Sequence, residues 1–121
     1  MTYTTLLSSS SINGDTVKNA NGDDLGNIKD IMIDTVTGEV AYYVLSFGGF
    51  MGLGDTLFAL PPQAITVDTE KECIQLNVTK EQLESAEGFD KDNWPNMADP
   101  TFRETVYNAY GYSYQEMRRA A

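Results

Sequence analysis

Residues 39–47, EVAYYVLSF, are apolar on both of the faces that a β-strand presents. The segment is also rich in β-branched and aromatic side chains, which are enriched in strands. A strand with apolar side chains in both directions has to be covered on both sides, because an open face would expose apolar surface to water. We therefore predict that residues 39–47 form a central strand at the core of a sheet.

Turn signals divide the neighbouring sequence into further short strands. The Asn-Gly pair at 21–22 favours a tight hairpin turn, the Thr-Gly pair at 37–38 marks another reversal, and the two prolines at 61–62 end sheet pairing. The apolar alternation slips at 29–31, which predicts a β-bulge or bend. About six short strands predict a mainly β fold, a small antiparallel β-barrel or a strongly curled sheet. Besides 39–47, the predicted strands are residues 16–19, 25–34, 56–60, 64–67 and 73–78.

One or two short helices are predicted to follow the strands. Thr79 and Gln82 have the spacing of a capping box, which predicts one or two helical turns that carry Leu83 onto the barrel. The Asp-Pro pair at 99–100 supplies an N-cap acceptor and a first-turn proline for a second helix, which ends near residue 111. One face of that helix carries an apolar stripe, Phe102, Val106, Ala109 and Tyr110.

Residues 46–55, SFGGFMGLGD, hold four of the ten glycines in the chain. The glycines at 49, 52 and 54 have the spacing G-x-x-G-x-G, the reverse of the dinucleotide-binding fingerprint, and residues 56–60 are β-like rather than helical. We therefore predict a tight bend between two strands. Its large apolar side chains either fold back over an open barrel end or contact another chain; they are Phe50, Met51 and Leu53.

Charge and composition exclude several classes of function. Eighteen acidic and eight basic residues give a net charge of −10, which disfavours binding to nucleic acid or to an anionic membrane. The chain has no histidine, which removes Ser-His-Asp and Cys-His nucleophiles and histidine-ligated metals. Cys73 lies in an apolar alternation and is predicted to be a buried, unreactive thiol. A calcium-like spacing at 19–24 lacks the required glycine and closing glutamate, so we predict no metal and no cofactor.

We predict one domain with a tail at each end. Residues 1–12 lack the features of a secretory signal and are predicted to be a disordered tail of a cytoplasmic protein. Residues 13–85 are predicted to form the β domain, and residues 86–121 a connector, a short helix and a C-terminal tail. Apolar runs are too short to cross a bilayer, so we predict no membrane insertion. The arginine-bearing tail from Tyr112 either frays or lies on the acidic surface of its own or a partner subunit.

A series of ordered motifs runs through the predicted β domain: Val17, Gly22, Leu25-Gly26-Asn27-Ile28, Asp30, Ile33-Asp34, Gly38, residues 40–45, the glycines of 48–54 and Ala59-Leu60-Pro61. Their order resembles the PRC-barrel domain family, named for the cytoplasmic domain of the photosynthetic reaction centre H subunit, over about residues 13–85. The resemblance implies a compact, mostly antiparallel β-barrel that binds other proteins and has no family-wide catalytic residues. Free-standing bacterial and archaeal members are small, often dimeric and in some cases linked to stress. Nothing in the chain matches the membrane helix of the reaction-centre subunit or the RNA-processing partner domain of the family's ribosome maturation factor.

The leading prediction is a non-enzymatic interaction module, a homodimer, that contacts itself or an unidentified protein partner. The alternative is a small-ligand binder whose barrel mouth is lined by Tyr42, Tyr43, Phe47 and Phe58. A hydrolase that uses carboxylates alone is a third class, which no spacing among the eighteen acidic residues singles out. The interaction surface of the leading prediction consists of Phe50, Met51, Leu53, Phe102, Val106 and Tyr110.

Overall fold

The computed structural model describes residues 8–12, 14–48, 55–68, 73–86 and 88–113. Within these residues, six strands form one sheet, accompanied by three α-helices and one 3-10 turn. In chain order the elements are α1 (Ser9–Ile12), β1 (Thr16–Lys18), β2 (Asp24–Ile33), β3 (Val40–Gly48), β4 (Asp55–Leu60), the 3-10 turn (Pro62–Ala64), β5 (Ile65–Asp68), β6 (Cys73–Leu76), α2 (Lys80–Ser85) and α3 (Pro100–Ala109).

The described strands are ordered β4-β3-β2-β1-β6-β5 across the sheet, which curls into a half-barrel. Neighbouring strands are antiparallel except β1 and β6, which run parallel with Val17 opposite Ile74. Parallel neighbours need a long connection, and here the chain from β2 to β5 supplies it. The prediction of a mainly β, strongly curled sheet is therefore confirmed, and the single parallel pair makes the sheet mixed.

A β-bulge in β2 sets which of its side chains face the core. The pairing of β2 with β3 shifts register between Ile28 and Asp30, inside the slip predicted at 29–31. In a regular strand, Ile28 and Ile31 would point to opposite faces because side chains alternate. Here both pack into the same hydrophobic cluster, so the extra residue at the bulge keeps both isoleucines on the core side.

The main hydrophobic core lies on one face of the sheet, and α2 packs against it. The Thr79 hydroxyl accepts the backbone N–H of Gln82, and the Gln82 side chain accepts the backbone N–H of Thr79, so the predicted capping box is confirmed. This cap starts a short helix whose Leu83 is fully buried. The main core consists of Ile12, Val17, Leu25, Ile28, Leu45, Phe58, Leu60, Ala64, Ile74, Leu76 and Leu83.

A second cluster lies on the opposite face of the sheet. Tyr42 and Tyr43 are neighbours in β3, so their side chains point to opposite faces. Tyr43 packs against the main core, whereas Tyr42 lies in the second cluster beneath α3. Strand β3 is therefore covered on both sides, as its sequence predicted. The second cluster consists of Ala41, Tyr42, Ala59 and Tyr107.

The end of the predicted N-terminal tail is part of the fold. Residues Ser9–Ile12 form α1, and Ile12 is 8% exposed within the main core. The backbone N–H of Gly14 donates to the carbonyl of Ile28 at 2.8 Å, which ties this segment to β2. The prediction of a disordered tail is thus wrong for residues 8–12, where burial of Ile12 outweighs the polar serines. For residues 1–7 the prediction lies outside the described residues.

The glycine-rich stretch connects two paired strands. Strands β3 and β4 form an antiparallel pair that extends to Gly48 opposite Asp55. Residues 56–60 are in a strand, as predicted, and not in the helix that a dinucleotide-binding loop requires. Residues 49–54 lie outside the described residues, so the contact predicted for Phe50, Met51 and Leu53 stays a prediction.

Candidate interaction surfaces

Helix α3 lies on the outer face of the sheet and buries one tyrosine there. The Asp99 side chain accepts the backbone N–H of Thr101 and begins the helix, as predicted. Tyr107 is 1% exposed, whereas Ala109, which the sequence places on the apolar stripe, is exposed. The predicted stripe is therefore wrong at these two positions. Successive residues are about 100° apart around a helix, so this error corresponds to a rotation of the buried face toward Tyr107.

Two tyrosine hydroxyls join α3 and the segment before it to the sheet. The Tyr107 hydroxyl donates to the carbonyl of Ala41 at 2.7 Å, and the Tyr42 hydroxyl donates to the carbonyl of Met97 at 3.1 Å. The two tyrosine rings meet edge to face with their centroids 6.1 Å apart. A buried hydroxyl without a partner would be unfavourable, so these hydrogen bonds fix where α3 can lie.

An ion pair lies at the edge of the same contact. Arg103 Nη1 is 3.0 Å from Asp34 Oδ2, and the two side chains are only 17% and 18% exposed. The guanidinium carbon lies 5.5 Å from the ring centroid of Tyr107 and 5.9 Å from that of Tyr42, within the range of a cation–π interaction. The hydrogen bond from Arg103 holds the pKa of Asp34 below its ordinary value of 3.8, and two backbone N–H groups of the following turn act in the same direction.

The predicted interaction residues of α3 contact the sheet of their own chain. Phe102 and Val106 pack against the second cluster, and the ring centroids of Phe102 and Tyr42 are 6.0 Å apart. Tyr110 packs against the main core, where burial raises its pKa to about 12. Any contact of these side chains with a second chain stays a prediction.

The residues predicted to line a ligand-binding mouth do not share one face. Phe47 and Phe58 pack with the main core, their ring centroids 6.2 Å apart, and Tyr43 packs there too. Burial raises the pKa of the Tyr43 hydroxyl, in keeping with that position. Tyr42 lies on the opposite face of the sheet beneath α3. The four side chains therefore cannot line one mouth, and this part of the ligand-binding alternative is wrong.

The turn between β2 and β3 presents apolar side chains that the sequence reasoning missed. Val36 is 93% exposed and Ile33 is 52% exposed. The turn is well ordered by Asp34, whose side chain accepts the backbone N–H groups of Val36 at 2.9 Å and Thr37 at 3.2 Å. Turns favour glycine, proline and small polar residues. The valine within the turn sequence D-T-V-T-G could therefore have indicated an exposed apolar side chain.

The connector between α2 and α3 lies along the edge strand β4. Leu57 and Phe89 exchange backbone hydrogen bonds, each N–H donating to the other carbonyl at 2.8 Å. Trp94 is 37% exposed, and its ring packs edge to face on Phe89 with centroids 5.2 Å apart. Unpaired backbone groups on a sheet edge invite pairing with other chains, so the connector shields part of this edge.

The described part of the chain has neither a metal-binding cluster nor a membrane-spanning helix. There, no three His, Cys, Asp or Glu side chains are grouped so that they could hold a metal ion. Cys73 lies in β6 opposite Asp68, but its side chain is outside the description, so its burial stays a prediction. None of the described helices has the length and apolar character that a membrane span needs.

These features define a small module of the β-barrel type, with one curled sheet, a filled main core and a helix on the outer face. A sequence model of the PRC-barrel domain matches residues 5–83 of the 121 residues. The chain therefore belongs to the PRC-barrel domain family, as the resemblance predicted. The match begins ahead of residue 13, in agreement with the burial of Ile12. A comparison with curated proteins finds no match.

Proposed function

We propose that this protein is a non-catalytic interaction module that forms a homodimer and binds other proteins. The observation that carries the proposal is its membership of the PRC-barrel family, whose domains mediate protein interactions. The absence of histidine supports a non-catalytic role, because histidine is the commonest general acid and base near neutral pH. A role under stress is carried by the resemblance alone, and the cytoplasmic location stays a prediction.

The charge of the chain limits how two copies can associate. Two chains of net charge −10 repel each other, so apolar contacts have to outweigh the repulsion in a homodimer. Salt screens repulsion between exposed charges. Self-association is therefore expected to strengthen as the salt concentration rises, whereas binding to a basic protein partner is expected to weaken.

Two apolar surfaces are candidates for the contact between copies. One is the β2–β3 turn, where Val36 and Ile33 are exposed on a backbone that Asp34 holds in place. The other is the predicted surface at Phe50, Met51 and Leu53. An apolar anchor that is already ordered before binding loses little conformational entropy, so the turn is suited to such a contact.

The test is the mass of the protein in solution, measured by sedimentation equilibrium at low and high salt. Wild type is compared with Met51→Asp and Val36→Asp, which form a matched pair because each places one carboxylate at one candidate surface. We expect wild type to be a dimer that tightens with salt, and a variant whose substitution lies on the contact surface to be monomeric.

The pattern of results identifies the surface. Loss of the dimer in Val36→Asp alone assigns the contact to the turn, and loss in Met51→Asp alone assigns it to the glycine-rich stretch. A wild-type protein that stays monomeric at every concentration and salt would refute self-association. Circular dichroism of each variant checks that the sheet is retained, so that loss of a dimer is not mistaken for loss of the fold.

A further inference from the structure

We propose that α3 is an exchangeable helix: the helix of one copy docks on the outer sheet face of a second copy, and the exchange is reciprocal. The inference rests on the proposed self-association and adds a third candidate contact between copies, besides the β2–β3 turn and the glycine-rich stretch. The docking face, called here the α3 seat, consists of Asp34, Ala41, Tyr42 and Ala59.

The first step of the argument is that α3 depends on its seat. The helix has only ten residues, PTFRETVYNA, and includes Thr, Val, Phe, Tyr and Asn, which all have modest helix propensity. Helices this short are marginal in water even when their sequences favour helix. Tyr107 is its one fully buried residue among those described. The helix is therefore stabilised by docking, and undocking is a local event.

The second step is that the main core is complete without α3. Every residue of the main core lies in the sheet, in α1, in the 3-10 turn or in α2. Tyr110 and Tyr112, at the end of α3, pack against this core only as partly buried neighbours. The matched family domain likewise ends at residue 83, ahead of α3. The sheet can therefore keep its fold while the helix leaves.

The third step is that the seat selects α3 by specific groups. The Asp34 carboxylate receives Arg103 at 3.0 Å, and the carbonyl of Ala41 receives the Tyr107 hydroxyl at 2.7 Å. Small side chains at Ala41 and Ala59 let the helix lie close to the strands. A second copy presents an identical seat, so a helix from that copy can make the same contacts.

The fourth step is that the connector allows the exchange. Nine residues, 90–98, separate the backbone bridge at Phe89 from the N-cap Asp99. Fully extended, they span roughly 30 Å. Residues 90–94 and 96 are exposed, so straightening this segment uncovers little apolar surface apart from Trp94 and Met97, which packs against the second cluster. Within one chain the helix is held at a high effective concentration, so the closed monomer dominates in dilute solution and exchange requires weakening of that internal contact.

The experiment mixes two variants in which α3 docks poorly on the α3 seat of its own chain. Asp34→Arg has a defective seat and an intact helix, and Arg103→Glu has an intact seat and a defective helix. Each variant alone faces like charges within its own seat. In a mixed, exchanged dimer, Asp34 of one chain meets Arg103 of the other, and the two introduced charges also meet. Equal amounts are refolded together from urea and analysed by native mass spectrometry.

We expect the mixture to give a 1:1 heterodimer as the main species, while each variant alone stays largely monomeric at the same concentration. The double variant Asp34→Arg/Arg103→Glu is the control, because it restores an opposite pair within one chain and is expected to behave as wild type does. A mixture that contains only the separate monomers, with a wild-type-like double variant, would overturn helix exchange.

A second pair keeps the test decisive if a charge variant fails to fold. Ala59→Trp blocks the seat and Tyr107→Ala weakens the helix, so mixing them allows one intact helix to dock on one intact seat. A heterodimer supports exchange, and its absence with both variants folded contradicts it. A wild-type dimer with no heterodimer in either mixture would refute exchange but leave the proposed self-association standing. A wild-type protein that is monomeric would refute the proposed self-association, whatever the mixtures show.

Discussion

At the scale of single residues, Gly26 leaves the least room for a side chain among the described glycines. Its φ is +115°, and a Cβ built there would lie 2.0 Å from the carbonyl oxygen of Ser46 on the paired strand β3. Because that atom belongs to the backbone of a central strand, it cannot move aside cheaply. We expect Gly26→Ala to lower the free energy of unfolding by about 3 kcal/mol, measured by urea denaturation.

Gly38→Ala separates the effect of this close approach from the effect of backbone conformation. Gly38 also has a positive φ, +78°, but no heavy atom lies within 4 Å of the position its Cβ would take. The substitution is expected to cost only the left-handed conformation, about 1 kcal/mol. Equal losses of unfolding free energy in Gly26→Ala and Gly38→Ala would show that the close approach to Ser46 does not contribute to the loss.

Asp34 makes stability depend on pH at the acid end. The hydrogen bond from Arg103 lowers the pKa of the Asp34 carboxyl in the folded state below 3.8. The ionised Asp34 carboxylate therefore adds to the free energy of unfolding in full above the unfolded-state pKa. That contribution is lost as the pH falls through the lower, folded-state value. We expect the difference in urea midpoint between wild type and Asp34→Asn to be constant near neutrality and to shrink below pH 3.8. Glu39→Gln, an exposed carboxyl next to the same turn, is the control, and an Asp34 difference that persists unchanged in acid would contradict the prediction.

At the scale of elements, one hydroxyl decides how firmly α3 is held. Tyr107→Phe keeps the ring but removes the donor to the buried carbonyl of Ala41, 2.7 Å away. We expect a loss of about 1–2 kcal/mol in the free energy of unfolding, because that carbonyl is left without its donor. Tyr112→Phe is the matched control: the Tyr112 hydroxyl donates to the backbone carbonyl of Gln63 at 3.2 Å at an exposed position. There the loss is expected to stay below about 0.5 kcal/mol, and similar losses in both variants would argue against the role of burial.

Elements with a local signal could be predicted from the sequence. The capping box at Thr79 and the N-cap at Asp99 depend on residues within one helical turn, so both were read correctly. The bulge near Asp30 appeared as a break in the apolar alternation. The parallel pairing of Val17 with Ile74 has no such signal, because it depends on how distant segments meet. Tyr107 was missed because the predicted stripe was drawn through Phe102, Val106, Ala109 and Tyr110, and position 107 lies about 100° around the helix from Val106.

At the scale of the whole molecule, the surfaces were harder to predict than the fold. The α3 stripe was visible in the sequence, but its seat was not, because Asp34 and Ala41 are far from α3 along the chain. Ile12 was assigned to the N-terminal tail that starts MTYTTLLSSSS, although it packs in the main core. A pattern of residues thus predicts that a helix has an apolar face, while the identity of what covers that face comes from tertiary structure.

The two clusters on opposite faces of the sheet predict two separate opening events. The main core holds the strands together without α3, and α3 is held by Tyr107, Arg103 and a few partly buried neighbours. Native-state amide exchange should therefore show α3 opening locally, at a lower free energy than the amides of β2 and β3. Arg103→Ala is expected to raise the hydrogen-exchange rates of the α3 amides by about tenfold or more. A tenfold rise corresponds to a decrease of roughly 1.4 kcal/mol in the free energy of opening, and the rate at the Leu45 amide is expected to change much less. An equal rise in the hydrogen-exchange rate at every amide would mean that α3 undocks only when the sheet unfolds. Docking of α3 on a second copy could then not take place in the folded protein.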